Sequence, residues 1–190
     1  VRCVADLVLE LPTPWAMSPA ETFAQGGVQL LHAAGADTLL FGSECGDTET
    51  LKAVAAALES ESFAAYLRQG LQEGVSFAAA REAAARKLLG EKAAVLAQPN
   101  DILAVEYCKA LLERESAIRP LALHRAGDYH DQKPDAEDPS ATAARAQLME
   151  DGDWRRLVPK RAAEIYAGAT RYAQAYGERA MLARLRGMDK

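Results

Sequence analysis

Short apolar runs alternate with stretches of helical period along this chain, and that alternation orders the fold. Residues 6–11 (D-L-V-L-E-L) form a compact apolar run ended by Pro12 and Pro14, the pattern of a buried parallel strand. Ser18, Pro19 and Glu21 then supply an N-cap, a first-turn proline and a capping-box carboxylate for a helix to about Ala34, stopped by Gly35. Thr38 to Phe41 is the second predicted strand, with residues 42–47 as the loop at its carboxyl end. Thr48 to Leu58, Ser62 to Glu73 and Ser76 to Leu89 read as three Ala-rich helices, the last two closed by Gly74 and Gly90. Pro99-Asn100-Asp101 opens a further helix with Leu103, Tyr107, Ala110 and Leu111 on one face, and Pro120 to His124 is the third strand.

Strand, helix, strand, helices, strand, helix is the order of an α/β fold: a Rossmann-like, parallel, doubly wound sheet with right-handed crossovers and a helical insertion. Three strands are few for so many helices. The chain also begins without Met almost inside the first strand and ends in M-L-A-R-L at helical spacing, so a piece of a longer protein is expected. After Gly152 the character turns helical and basic, which divides the chain into a core at 1–152 and the start of a C-terminal helical region at 153–190.

A length of 190 residues with 49% hydrophobic content supports one sizeable core. Net charge is -5 with a pI near 5.3, so no global basic field recruits nucleic acid, and any RNA contact must come from a local patch. Cys3, Cys45 and Cys108 are scattered and lack C-x-x-C spacing, which argues against a disulfide framework or zinc site and for a reducing cytoplasm. No apolar run has the length of a membrane span.

The most informative stretch runs from Leu121 to Arg145. An apolar strand passes through a polar turn and an acidic loop at 132–139 to a helix that opens with Ser140 and Thr142 and carries Arg145. Unpaired first-turn N–H groups, hydroxyls and a permanent cation make a phosphate site, although the same residues also make an ordinary helix cap. Gly42 follows a strand directly and lets a ligand approach the backbone, or simply makes a tight turn. Asn100 can present its amide to a nucleotide or cap its helix. His124 and Arg125 end the third strand at the edge where open α/β sheets bind ligands, and Tyr129, His130 and Asp131 follow. His130 beside Asp131 invites a general-base role or a structural hydrogen bond. His32 is expected to be packed. Asp6 with Glu10, and Glu44 with Asp47, are carboxylate pairs able to hold a cation but without specific spacing. Basic residues from 154 to 186 interleave with Trp154, Tyr166, Tyr172 and Tyr176, which suits either RNA contact or a solvated helical face.

The ordered series A-D-L-V-L-E-L-P (5–12), E-T-F-A-Q-G-G (21–27), F-G-S-E-C-G-D (41–47), P-N-D-I-L-A-V-E-Y (99–107), R-A-G-D-Y-H-D (125–131) and S-A-T-A-A-R (140–145) resembles the tRNA(Met) cytidine acetate ligase family. That family is similar in turn to nucleotidyltransferases with a His-x-Gly-His motif and an HUP-type core. The resemblance implies an enzyme that uses ATP, with magnesium, to convert acetate to acetyl-adenylate. It then transfers the acetyl group to N4 of the wobble cytidine of elongator tRNA(Met). Gly42, Asn100 and Arg125 fall on positions that contact ATP in such proteins, and Ser140, Thr142 and Arg145 match the family's second phosphate motif. No residue here matches the His-x-Gly-His unit, so the catalytic residues are not identified and the piece alone is expected to be inactive. Asp138 and Ala144 stand where the family usually has apolar residues. The rival readings are a generic nucleotidyltransferase that adenylates a small molecule and a catalytically silent RNA-binding domain.

Overall fold

The computed structural model describes residues 5–125, 141–172 and 174–187. The chain separates into two compact units, Glu10–Ala126 and Val1–Leu9 with Gly127–Lys190.

In the first unit, α1 (Thr13–Ala16) and α2 (Ala20–Ala33) precede β1 (Thr38–Ser43). α3 (Thr48–Leu58), α4 (Glu61–Gln72), α5 (Phe77–Leu89), a 3-10 segment (Gly90–Ala97) and α6 (Pro99–Glu113) form the crossover to β2 (Arg119–His124). The strands pair in parallel from Thr38 opposite Arg119 to Ser43 opposite His124. A parallel pair requires such a crossover, and the expected α/β core with its parallel sheet and helical insertion is observed. Leu39 and Phe41 face a core with Val28, Leu51, Val54, Val105 and Leu111, and Phe41 stacks on Tyr107 at 5.7 Å between ring centroids. On the alternate positions Leu40, Leu121 and Leu123 are exposed.

Local signals explain the helix boundaries. Side-chain oxygens of Asp47, Ser60 and Ser76 accept the first-turn amides of α3, α4 and α5, as N-caps do. Gly35, Gly74 and Gly90 follow helix ends with φ of +75°, +82° and +57°, the left-handed conformation that glycine adopts without strain. At α2 the expectation fails in detail. Ser18 accepts no first-turn amide; its hydroxyl donates to the Pro14 carbonyl at the end of α1. Gly26 holds Trp15 against α2, since a Cβ there would lie 2.4 Å from the indole Cγ. Lys109, 8% exposed, joins α2, α3 and α6 through Glu21 at 2.9 Å, Glu59 at 3.2 Å and Glu106 at 3.0 Å. Its ammonium pKa lies above the usual lysine range: burial opposes the charge, but the hydrogen bonds it donates to Glu21 and Glu106 outweigh it.

Residues 6–11 are not the strand that their apolar pattern predicts. They enter no ladder, and Leu7 and Val8 are exposed. A strand is completed by a neighbour's hydrogen bonds, which an apolar run cannot supply alone. The described sheet therefore has two strands, β1 and β2. His32 is likewise not packed, but lies exposed on the last turn of α2.

In the second unit, α7 (Ala141–Met149) and α8 (Lys160–Gly168) pack on a 3-10 turn (Trp154–Leu157) whose Trp154 is buried, and α9 (Gln174–Arg186) follows with its described side chains exposed. Tyr166 meets the Trp154 ring edge-on at 6.4 Å, and the Arg155 guanidinium covers it at 4.5 Å. Arg171 donates to the Leu148 carbonyl at 2.7 Å and pairs with Asp151, closing the C-terminal end of α7. No helix among the described residues is long and apolar enough to cross a membrane.

Candidate functional site

Because β1 and β2 are parallel, their carboxyl ends share one edge of the sheet. Gly42 lies there, and a Cβ on it would meet Arg125 Cδ at 2.7 Å and Cγ at 3.2 Å. The stem of Arg125 thus runs over the bare backbone of Gly42, while its N–H donates to the Ser43 carbonyl at 2.9 Å. Gly46, with φ of +64°, makes a similar close approach: a Cβ there would lie 2.7 Å from His124 Cβ.

The loop after β1 is clasped to the start of α6. Ser43, fully buried, donates through Oγ to Asp101 Oδ1 at 2.5 Å and accepts the Gly46 N–H at 2.9 Å. The Cys45 N–H lies 3.2 Å from both carboxylate oxygens of Asp101, a residue only 1% exposed. Glu44 completes the exchange in the opposite sense. Its Oε1 accepts the Asn100 side-chain amide at 2.7 Å and the Asn100 backbone N–H at 3.3 Å, and its Oε2 accepts the Asp101 N–H at 2.9 Å.

A loop carboxylate therefore satisfies the first-turn amides of α6, where negative charge is favoured by the helix dipole. Burial opposes ionisation of Glu44, but hydrogen bonds, led by the Asn100 side chain, outweigh it and hold the carboxyl below its usual range. Asn100 accordingly does not cap α6; it lies in the first turn, tied to Glu44. Nor do Glu44 and Asp47 act as a cation pair. Asp47 accepts the Thr50 hydroxyl at 2.5 Å and the Glu49 N–H at 3.1 Å, and the Thr50 hydrogen bond leads in lowering its pKa. Asp6 and Glu10 are exposed, and no group of three metal-ligating side chains occurs among the described residues.

The structure thus brings Gly42, Asn100 and Arg125 together at one edge. Thr142 and Arg145 lie on the first turns of α7 in the other unit, where Arg145 Nη2 approaches Thr142 Oγ1 at 3.4 Å and both residues are exposed. Ser140, Tyr129, His130 and Asp131 lie outside the described residues. Sequence reasoning missed Ser43 and Asp101, which hydrogen-bond across 58 positions; no local pattern in the chain signals that pairing. The edge offers a close backbone approach, a guanidinium and an amide whose Oδ1 accepts nothing among the described residues, a set suited to an anionic ligand that also carries hydrogen-bond donors.

The family model described as HIGH Nucleotidyl Transferase matches residues 1–186. A tRNA(Met) cytidine acetate ligase of Syntrophotalea carbinolica is 41% identical over 178 residues, covering 89% of this chain and 42% of the relative. One of Halothermothrix orenii is 41% identical over 161 residues, covering 77% and 38%. The crystal structure of Thermotoga maritima TmcAL in its apo form superposes with a TM-score of 0.72 at 35% identity, covering 82% of this chain and 39% of that one. The same protein bound with alpha-thio ATP gives 0.66 at 35% identity, covering 77% and 36%. The chain spans about two fifths of the length of the curated relatives it matches.

Proposed function

The chain belongs to the HIGH nucleotidyl transferase family, and from that premise we propose that the whole protein is a cytoplasmic, ATP-dependent tRNA(Met) cytidine acetate ligase. The observation that carries the reading is the convergence of Gly42, Asn100 and Arg125 on the carboxyl edge of the sheet. It is supported by a relative of the same fold bound to an ATP analogue and by relatives named for the acetate ligase reaction.

In the proposed reaction an acetate oxygen attacks the α-phosphorus of ATP, pyrophosphate leaves, and acetyl-adenylate forms. N4 of the wobble cytidine of elongator tRNA(Met) then attacks the acetyl carbonyl, and AMP departs. Protein groups serve chiefly to position reactants and neutralise developing charge. Gly42 leaves room for the nucleotide against β1, Arg125 supplies a permanent cation, and Asn100 orients the nucleoside. Ser140, Thr142 and Arg145 are proposed as phosphate ligands on the sequence motif they match, and the basic, aromatic residues from 153 to 190 as the beginning of a tRNA-contacting region. Magnesium would be carried on the phosphates of ATP and supply neutralising charge there.

Whole protein incubated with labelled acetate, ATP and tRNA(Met) is expected to yield N4-acetylcytidine together with AMP and pyrophosphate. Pyrophosphate release with other small acids but never with acetate would overturn the ligase reading in favour of a generic nucleotidyltransferase. The 190-residue chain alone is proposed to be inactive, and tRNA acetylation by it would refute that part.

A further inference from the structure

We propose that Glu44 is a positioning residue: it fixes the side-chain amide of Asn100 in one orientation, so that Asn100 Oδ1 reads a hydrogen-bond donor on the nucleotide. The inference rests on the ATP reading above and deepens it.

A carboxylate only accepts hydrogen bonds, so the group of Asn100 that lies 2.7 Å from Glu44 Oε1 must be its NH2. A flipped amide would set carbonyl oxygen against carboxylate oxygen and lose a charge-assisted bond. Glu44 cannot swing to accommodate the flip. Its second oxygen holds the Asp101 N–H, and its neighbours Ser43 and Cys45 are fastened to the buried Asp101 carboxylate. Asn100 is thereby left with Oδ1, which accepts nothing among the described residues.

That atom complements an N–H or O–H and repels an ionised phosphate oxygen. Phosphate therefore falls to Arg125, and Asn100 reads the nucleoside. ATP carries two kinds of suitable donor, the 6-amino group of adenine and the ribose hydroxyls.

The test measures dissociation constants of the whole protein for ATP, inosine triphosphate, 2′-deoxy-ATP and 3′-deoxy-ATP, by calorimetry. The wild type is expected to bind one analogue about fivefold to tenfold more weakly than ATP, the scale of one uncharged hydrogen bond, and that analogue identifies the donor. Asn100→Ala is expected to bind ATP as weakly as that analogue. Glu44→Gln presents only one acceptor oxygen and is expected to bring the ratio within about twofold, yet to leave the ratio unchanged when added to Asn100→Ala. Equal weakening of every nucleotide by Glu44→Gln, as a purely structural role predicts, would overturn the proposal. If Glu44→Gln does not fold, Asn100→Ala decides, and discrimination retained in that variant also overturns it. A whole protein that binds no ATP overturns the ATP reading and this proposal together, whereas tight ATP binding with no discrimination overturns this proposal alone.

Discussion

Replacing Lys109 by Met tests how the helices around β1 are held together. The side chain is nearly isosteric along its stem, so the change removes the ammonium and little else. Three carboxylates lose their partner. Glu21 and Glu59 are 59% and 41% exposed at the side chain and return to water, at a cost below about 1 kcal/mol each. Glu106 is different: its side chain is 7% exposed, and its remaining cation, Arg81, stands at 3.7 Å. Breaking a buried pair from one side costs about 3–5 kcal/mol, and the retained Arg81 sets the expectation at the lower end, about 3 kcal/mol. For a domain of this size that is a fall in Tm of roughly 10 °C. Adding Glu106→Leu removes the stranded charge, so the double variant should recover at least half of the loss. The pH dependence has a definite sign. Because the folded-state pKa of Lys109 is raised, its contribution is complete below the ordinary lysine pKa of about 10.4 and disappears as pH climbs beyond it. Thermal melts of wild type and Lys109→Met should thus differ by a constant amount from pH 7 to 10 and converge above. A Tm within about 2 °C of wild type at pH 7, or no recovery in the double variant, would refute this account.

Gly42→Ala places a methyl 2.7 Å from Arg125 Cδ, a contact that a flexible side chain relieves by moving. The variant should melt within about 1 kcal/mol of wild type while the whole protein binds ATP at least about tenfold more weakly, consistent with losing one charge-assisted contact; unaltered ATP affinity in a titration would remove Gly42 and Arg125 from the site. Burial pushes the Cys108 thiol up to about 11, whereas Cys45 is half-buried at the candidate edge. Iodoacetamide on native protein at pH 8 should therefore modify Cys45 and spare Cys108, as peptide mass spectrometry would show, and ATP should slow the modification of Cys45.

Elements with local punctuation were legible in the sequence. Thr48–Leu58 was read to the residue, and Gly35, Gly74 and Gly90 mark the stops because a left-handed residue after a helix is a property of the chain itself. Features that need a distant partner were not. The apolar pattern of 6–11 promised a strand, but no periodicity supplies the second strand of a ladder. Asn100 was legible as a residue of interest and Glu44 as a carboxylate near it in kind, yet their pairing across 56 positions was invisible. Lys109 gave only a faint sign, a charge within the apolar Tyr107–Leu111 stretch whose three partners come from α2, the end of α3 and its own helix.

The clasp between residues 43–45 and 100–101 also bears on chain connectivity. It pins both ends of the segment carrying α3, α4, α5 and the 3-10 turn, so the pocket edge keeps its geometry when the outer turn of that segment changes. Closure entropy grows only with the logarithm of length, about 0.6 kcal/mol for each doubling. α3 supplies Leu51 and Val54 to the core, so only the exposed turn between α4 and α5 can be lengthened or cut without moving Gly42 relative to Asn100. Gly74, whose Cβ position meets nothing within 4 Å, is where a circular permutant would open the chain at least cost to the site.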